Sequence, residues 1–197
     1  MKVIIIYAHP EVEGFNSEIL KKVKAVLDSK NHDYEVWDLY GMNYDPVLKE
    51  EELYTAGNRK VSEENLKFQK KIKEASKVVF IYPIWWGGMP AILKGFMDRV
   101  FTSGFAFKYS KDKIIKMIPY KNLKDKTMVC LVSSGGPWIF YALILNPVKI
   151  INRFIVFGFF GAKSKTFQIY NARKLTDKKV KQINKIAKKG VNWMLRH

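Results

Sequence analysis

Apolar runs alternate with amphipathic segments along the whole chain, and that alternation predicts an α/β fold. Val3–Tyr7 is an unbroken apolar run, the mark of a strand covered on both faces. After it, Asn16 or Ser17 opens a helix on which Ile19, Leu20, Val23, Val26 and Leu27 recur at helical spacing. Tyr34–Leu39 reads as a second strand, residues 41–60 largely as loop, and Leu66, Phe68, Ile72 and Ala75 as a helix leading into the strand Val78–Tyr82. Pro90 suits the first position of a helix Pro90–Val100, since its missing N–H would find no partner there. Thr127–Val132 is a fourth strand, Trp138–Leu145 a helix and Ser164–Tyr170 a fifth strand. Thr176 caps a last helix whose Val180, Ile183, Ile186, Ala187, Val191, Met194 and Leu195 form one apolar stripe.

Five short apolar strands separated by helices predict a doubly wound parallel sheet in a three-layer α/β/α domain, with right-handed crossovers. The 197 residues, 48% of them hydrophobic, suffice for one such domain and are too few for two with a linker. Ligands of these sheets bind beyond the carboxyl ends of the strands, so chemistry is expected after strands one, three and four.

After strand one, Ala8-His9-Pro10 and Gly14-Phe15-Asn16-Ser17 deliver the chain to a helix N-terminus, where free amides and the helix dipole favour an anion. His9, Asn16 and Ser17 are candidate phosphate donors, although plain helix capping explains the same residues. After strand three comes Tyr82-Pro83-Ile84-Trp85-Trp86-Gly87-Gly88-Met89-Pro90. Neighbouring side chains of an extended segment point opposite ways, so a purely structural role would require both Trp85 and Trp86 to be buried. A flat aromatic ligand lined by Pro83, Ile84, Trp85 and Trp86 accounts for them better. After strand four, Ser133-Ser134-Gly135-Gly136 lets the backbone approach a ligand, and equally well forms a tight turn.

Charge is unevenly distributed. Residues 1–105 hold 15 Lys and Arg against 15 Asp and Glu, whereas residues 106–197 hold 20 against 3 and carry the whole net charge of +17. A solvated basic surface that attracts an anionic nucleotide explains this without nucleic acid, for which no recognition module is present. Cys130 is the single cysteine, which excludes an intramolecular disulfide and suggests a small buried hydrophobe. The apolar stretch around residues 139–161 is interrupted by Asn146, Pro147, Lys149, Asn152 and Arg153, so it is too short to span a bilayer. The N-terminus runs directly into a strand with no basic n-region, as in a cytoplasmic protein.

In their order and spacing, the stretches AHPEVEGFNSEI, DLYGMNYDP, YPIWWGGMPAILKGFMDRVF and SSGG followed by Tyr141 resemble the NAD(P)H:quinone oxidoreductase family of flavodoxin-like flavoproteins. That family also includes quinone reductases associated with potassium-efflux systems. The resemblance implies that His9, Phe15, Asn16 and Ser17 hold the phosphate end of a flavin. Pro83, Ile84, Trp85 and Trp86, with Ser133, Ser134, Gly135 and Gly136, would cradle its ring system. It further implies ping-pong, two-electron hydride transfer from NAD(P)H through the flavin to a small quinone-like acceptor, with Tyr141 as the catalytic hydroxyl. Phe107 and Tyr109 match aromatics that cover the substrate pocket across a homodimer interface. The family's histidine six residues after the tyrosine is replaced by Pro147, which leaves protonation to Tyr141 or solvent. The stretch Val47–Lys60, long enough to cover an adenosine, tilts the choice of cofactor to FAD over FMN. Two other roles fit the same resemblance. One is a flavin-binding ancillary subunit of a membrane transporter, docking on its partner or on anionic lipid through the basic half; the other is a flavodoxin-like electron carrier, for which the basic surface is unsuited.

Overall fold

A computed structural model describes residues 2–53, 60–109 and 120–197. In chain order the elements are β1 (Val3–Tyr7), α1 (Phe15–Asp28), β2 (Tyr34–Asp38), a 3₁₀ turn (Glu50–Glu52), α2 (Glu63–Glu74), β3 (Lys77–Pro83) and α3 (Ala91–Val100). There follow β4 (Phe107–Lys108), β5 (Tyr120–Lys121), β6 (Thr127–Ser133), α4 (Trp138–Leu143), α5 (Pro147–Ile150), a π-helical turn (Ile151–Val156), α6 (Phe157–Phe160), β7 (Lys163–Ile169) and α7 (Asp177–Arg196). β4 and β5 form a separate antiparallel ribbon.

The main sheet is parallel throughout, in the order β2-β1-β3-β6-β7. This is the predicted doubly wound, flavodoxin-like α/β arrangement, whose strand order reverses between β1 and β3. Every residue of β1, β3 and β6 is buried, because helices cover both faces. On one face Val3, Ile5, Val79, Ile81, Val129 and Leu131 meet the apolar stripes of α1 and α7. On the other Ile4, Ile6, Phe80, Tyr82, Cys130 and Val132 meet α2, α3 and α6. Burial pushes the Cys130 thiol up to about 12, as befits a core residue with no solvent contact.

Several boundaries differ from expectation for local reasons. α1 begins at Phe15, with Gly14 as its N-cap and Ser17 inside the first turn, where Ser17 Oγ accepts from the Gly14 amide at 2.7 Å. Pro90 is the extended residue before α3 and not its first helical one. α4 stops at Leu143 because Leu145 and Asn146 both adopt positive φ, 56° and 47°. The stretch 154–160 is divided: Phe157 and Phe160 enter the core, while Phe154 and Ile155 face solvent. Thr176 caps α7 as its sequence requires, accepting from the Lys179 amide. No helix of the described residues is long and apolar enough to cross a membrane.

One contact fixes the loop after β2. A Cβ on Gly95 would lie 2.1 Å from the Pro46 carbonyl oxygen, so α3 carries glycine where that loop crosses it. The loop is then held by a buried ion pair, Arg99 Nε to Glu52 Oε2 at 2.8 Å and Arg99 Nη2 to Glu52 Oε1 at 3.0 Å. Asn65 Nδ2 donates to the same carboxylate and its Oδ1 accepts from the Tyr44 hydroxyl.

Candidate functional site

The loops after β1, β3 and β6 converge at the carboxyl edge of the sheet around a cavity of about 700 Å³, a size typical of small-molecule sites. His9, Phe15, Asn16, Pro83, Ile84, Trp85, Trp86, Ser133, Ser134 and Gly135 line it.

At one end is the N-terminus of α1. The first-turn amides of Phe15, Asn16 and Ser17 have no carbonyl of their own helix within reach, since the ladder opens with Glu18 N–H to Gly14 O. His9 Nδ1 accepts from the Glu11 amide at 3.1 Å, which assigns the ring proton of the neutral imidazole to Nε2 and leaves that nitrogen as a donor. The Asn16 side chain, by contrast, is committed inward. It is buried and exchanges hydrogen bonds with Ser133 Oγ at 3.1 and 3.2 Å, tying the loop after β1 to the loop after β6.

Beside it is the tryptophan loop, whose Trp85 ring is centred 6.0 Å from the His9 ring. Trp85 and Gly88 exchange both backbone hydrogen bonds, and Trp86 and Gly87 between them have φ of 50° and 77°. Positive φ at both central residues defines a type I′ hairpin turn, in which glycine is at ease and tryptophan is strained. The turn holds the Trp86 side chain wholly in solvent, at 105% relative exposure, and Trp85 at 41%. Neither indole is core. A large aromatic held in a strained conformation and fully in water is costly on its own, and such strain concentrates at ligand clamps.

The Ser133–Gly136 loop is tied down by hydrogen bonds. Ser134 Oγ accepts from Gln168 Nε2 at 3.0 Å, and the Ser134 amide donates to the Ile169 carbonyl. Both serine hydroxyls therefore serve the protein, and the amide of Gly135 is left for a ligand. Gly136 does not line the cavity; it allows Tyr141 to pack closely, since a Cβ there would lie 3.2 Å from Tyr141 Cε2. Tyr141 is buried behind that loop, between the rings of Phe140 and Tyr170.

The loop after β7 was overlooked in the sequence. Ala172, Arg173, Lys174 and Leu175 complete the cavity wall, and Arg173 Nε donates to the Gly135 carbonyl at 3.3 Å. The adjacent cations Arg173-Lys174 between the last strand and last helix were the available signal.

Phe107 and Tyr109 are elsewhere. With Met89, Met97, Phe101, Ile155, Phe159 and Phe160 they line a second, mainly apolar cavity of about 680 Å³. Leu48, Glu52 and Leu53 belong to this second cavity too, and no residue of 47–53 lines the first. The proposed cover for an adenosine is thus absent in the described part of that stretch; residues 54–59 lie outside the described residues. Among the described residues, no group of three or more His, Cys, Asp or Glu side chains is placed to hold a metal ion.

Comparison with known proteins agrees with this geometry. The family profile described as flavodoxin-like fold matches residues 1–190. An "Uncharacterized NAD(P)H oxidoreductase" of Haemophilus influenzae is 31% identical over 186 residues, covering 92% of this chain and 89% of that protein. The "NAD(P)H dehydrogenase [quinone] 1" of Cavia porcellus is 31% identical over 159 residues, 72% of this chain, which spans only 56% of that longer protein. Among solved structures, an NAD(P)H:quinone oxidoreductase from Methanothermobacter marburgensis superposes with a TM-score of 0.81 at 26% identity, covering 96% of both chains. With its strand order, its carboxyl-edge cavity and these matches over nearly its full length, the chain belongs to the flavodoxin-like fold family, in the company of proteins named as NAD(P)H and quinone oxidoreductases.

Proposed function

We propose that the protein is a flavin-dependent NAD(P)H:quinone oxidoreductase. The observation that carries this reading is the cavity itself, where groups that suit a phosphate and groups that suit a flat ring share one space. A helix N-terminus, His9 Nε2, Arg173 and Lys174 favour an anion. Pro83, Ile84 and two solvent-facing indoles favour an aromatic plane.

When bound, the flavin supplies two-electron chemistry between the nicotinamide donor and the quinone-like acceptor. The chain's own residues bind and orient. The amides of Phe15, Asn16 and Ser17 would hold the phosphate, and that of Gly135 would donate to the ring system. Trp85 and Trp86 would wall the ring and exclude water, and the open side of the cavity would admit donor and acceptor in turn. Tyr141, packed against Gly136, would serve as the proton donor in the absence of a histidine at position 147. FMN is the better match, because its phosphate end is provided for while no described residue of 47–53 reaches this cavity to cover an adenosine. We assign the enzyme to the cytoplasm, where nicotinamide nucleotides are supplied and the Cys130 thiol stays reduced.

The working form is a homodimer. Trp138, Leu143, Leu145, Phe154 and Ile155 are each more than 60% exposed, an apolar surface of the kind that a second copy covers. In such a dimer the cavity holding Phe107 and Tyr109 supplies the acceptor's cover, so Tyr109→Ala should slow acceptor reduction while flavin stays bound. A monomer with full activity by light scattering would remove the dimer from the reading.

The deciding experiment is the absorption spectrum of the purified protein, followed by flavin extraction and by NADH and NADPH oxidation with menadione. Yellow protein, released FMN and sustained turnover are expected. A colourless protein that takes up neither FMN nor FAD would overturn the assignment, and bound flavin without turnover would favour an ancillary or carrier role.

A further inference from the structure

At the amino-terminal half of β7, remote from the carboxyl-edge cavity, a smaller cavity of about 360 Å³ is lined by Lys149, Arg153, Ser164, Lys165, Thr166 and Trp193. We propose that it is a second ligand site, for a phosphate-bearing anion.

Three cations converge there, and none of them makes a salt bridge among the described residues. They are held instead by aromatic side chains. Lys149 Nζ donates to the Tyr170 hydroxyl at 3.4 Å, while Arg153 Cζ lies 5.1 Å from the centre of the Phe154 ring, and Lys165 Nζ between Phe167 at 5.4 Å and Trp193 at 5.8 Å. Such contacts orient a cation without neutralising it, so the positive field in the cavity stays available. The chain has little to offer against it. Residues 106–197 contain only three acidic side chains. Of these, Asp125 is paired with Lys126 at 2.7 Å and Asp177 stands in the first turn of α7, while Asp112 lies outside the described residues. Among the described residues no carboxylate neutralises the three cations, so a bound anion would meet no competing partner.

The walls suit an oxyanion in particular. Arg153 offers a planar fork of donors and the two lysines add point charges, the combination that recognises phosphate. Ser164 Oγ in the same wall is buried and has no hydrogen-bond partner, a spare donor in a family of groups that are normally satisfied. Thr166 Oγ1 is already engaged, accepting from Asn152. Edge lysines also discourage strand-to-strand aggregation, but that role requires neither the arginine nor a walled cavity.

Phosphate of this kind reaches a protein either as a soluble ester or as a lipid headgroup, and two arms of one experiment separate them. Sodium phosphate is titrated against sodium chloride at constant ionic strength into the purified protein, followed by the amide signals of Lys165 and Thr166 and the Trp193 indole. The amides of Phe15 and Asn16 report separately on the other cavity. In parallel, the protein is sedimented with phosphatidylcholine vesicles with and without phosphatidic acid. Lys149→Gln/Arg153→Gln is the control; both side chains are exposed, so the fold should survive. Saturable shifts at β7 that weaken by at least about tenfold in the variant identify a soluble phosphate ligand. Recruitment by phosphatidic acid alone, lost in the variant, identifies a lipid headgroup. If neither phosphate nor phosphatidic acid binds in a way the variant abolishes, there is no such site, and the cations only guard the sheet edge.

Discussion

The two faces of the sheet are built from the same five strands yet from different chemistry. The face covered by α1 and α7 is almost wholly aliphatic, with Ile19, Val23, Leu27, Ile183, Val191 and Met194 packed on Val79, Ile81, Val129 and Leu131. The face covered by α2, α3 and α6 is aromatic and contains buried polar groups. Trp37, Tyr44, Phe68 and Phe96 pack ring to ring at 4.8–6.2 Å, and the Glu52–Arg99 pair is sealed beside them. The first face depends on non-directional burial and tolerates isosteric change. The second depends on satisfied geometry, which fixes the loop after β2 but leaves any single missing partner costly. The aliphatic face acts as a foundation, and the aromatic face shapes the second cavity.

The sharpest way to break this contrast is Arg99→Met. Removing the guanidinium strands a buried carboxylate and should cost about 3–5 kcal/mol of unfolding free energy by urea titration, most of it recovered in Glu52→Gln/Arg99→Met. The pair also confers acid sensitivity. Burial alone would raise the Glu52 carboxyl, yet Arg99, the Lys49 amide and Asn65 together hold it below its ordinary value of 4.5. A carboxylate depressed in the folded state stabilises above its unfolded value and loses that contribution as pH falls through the folded one. Stability should therefore drop below about pH 4.5, and drop less in the double variant.

On the aliphatic face, Ile183→Ala leaves a cavity and no stranded charge, so it should cost about 3 kcal/mol with no added pH dependence. If it also lowered flavin affinity, the foundation and the site would not be separable. The reverse dissociation is expected at the tryptophan loop. Trp85→Ala/Trp86→Ala should weaken flavin binding by about 2–4 kcal/mol in a fluorescence titration and leave the urea midpoint nearly unchanged, because both indoles are exposed. Trp86→Gly should go further and raise stability by about 1 kcal/mol, since glycine relieves the positive φ, while flavin binding falls. A loss of stability instead would mean that Trp86 packs against something in the free protein. The smallest effect is expected at Glu11, whose exposed carboxylate packs over Gly14 where an anion would sit. Glu11→Gln should tighten FMN binding by a few tenths of a kcal/mol, more so at low salt.

The sequence was most legible where a local rule suffices. Continuous apolar runs between turn residues marked β1, β3 and β6, and all five strands of the main sheet stand within a residue or two of where they were expected. His9 and the adjacent tryptophans at strand ends marked the cavity, because turn chemistry and exposed aromatics cannot be explained by packing. The sequence was least legible where the outcome is a competition between distant partners. Asn16 and Ser17 have the composition of phosphate donors, but Ser133 claims the Asn16 side chain across 117 residues and Gly14 claims the Ser17 hydroxyl.

By itself, then, the amino-acid order determined the alternation of strands and helices, the parallel sheet, the edge at which the cavity opens and the aromatic residues in its lining, since hydrophobic period and backbone conformation are local properties of neighbouring residues. Tertiary structure alone decided the division of Phe154–Phe160 between core and solvent, the capture of Glu52 by Arg99, the entry of Arg173 and Lys174 into the cavity wall, and the separation of Phe107 and Tyr109 into a cavity of their own. Each of these depends on which side chain reaches a shared space first and satisfies its polar groups there, and that is fixed only when the layers close on one another.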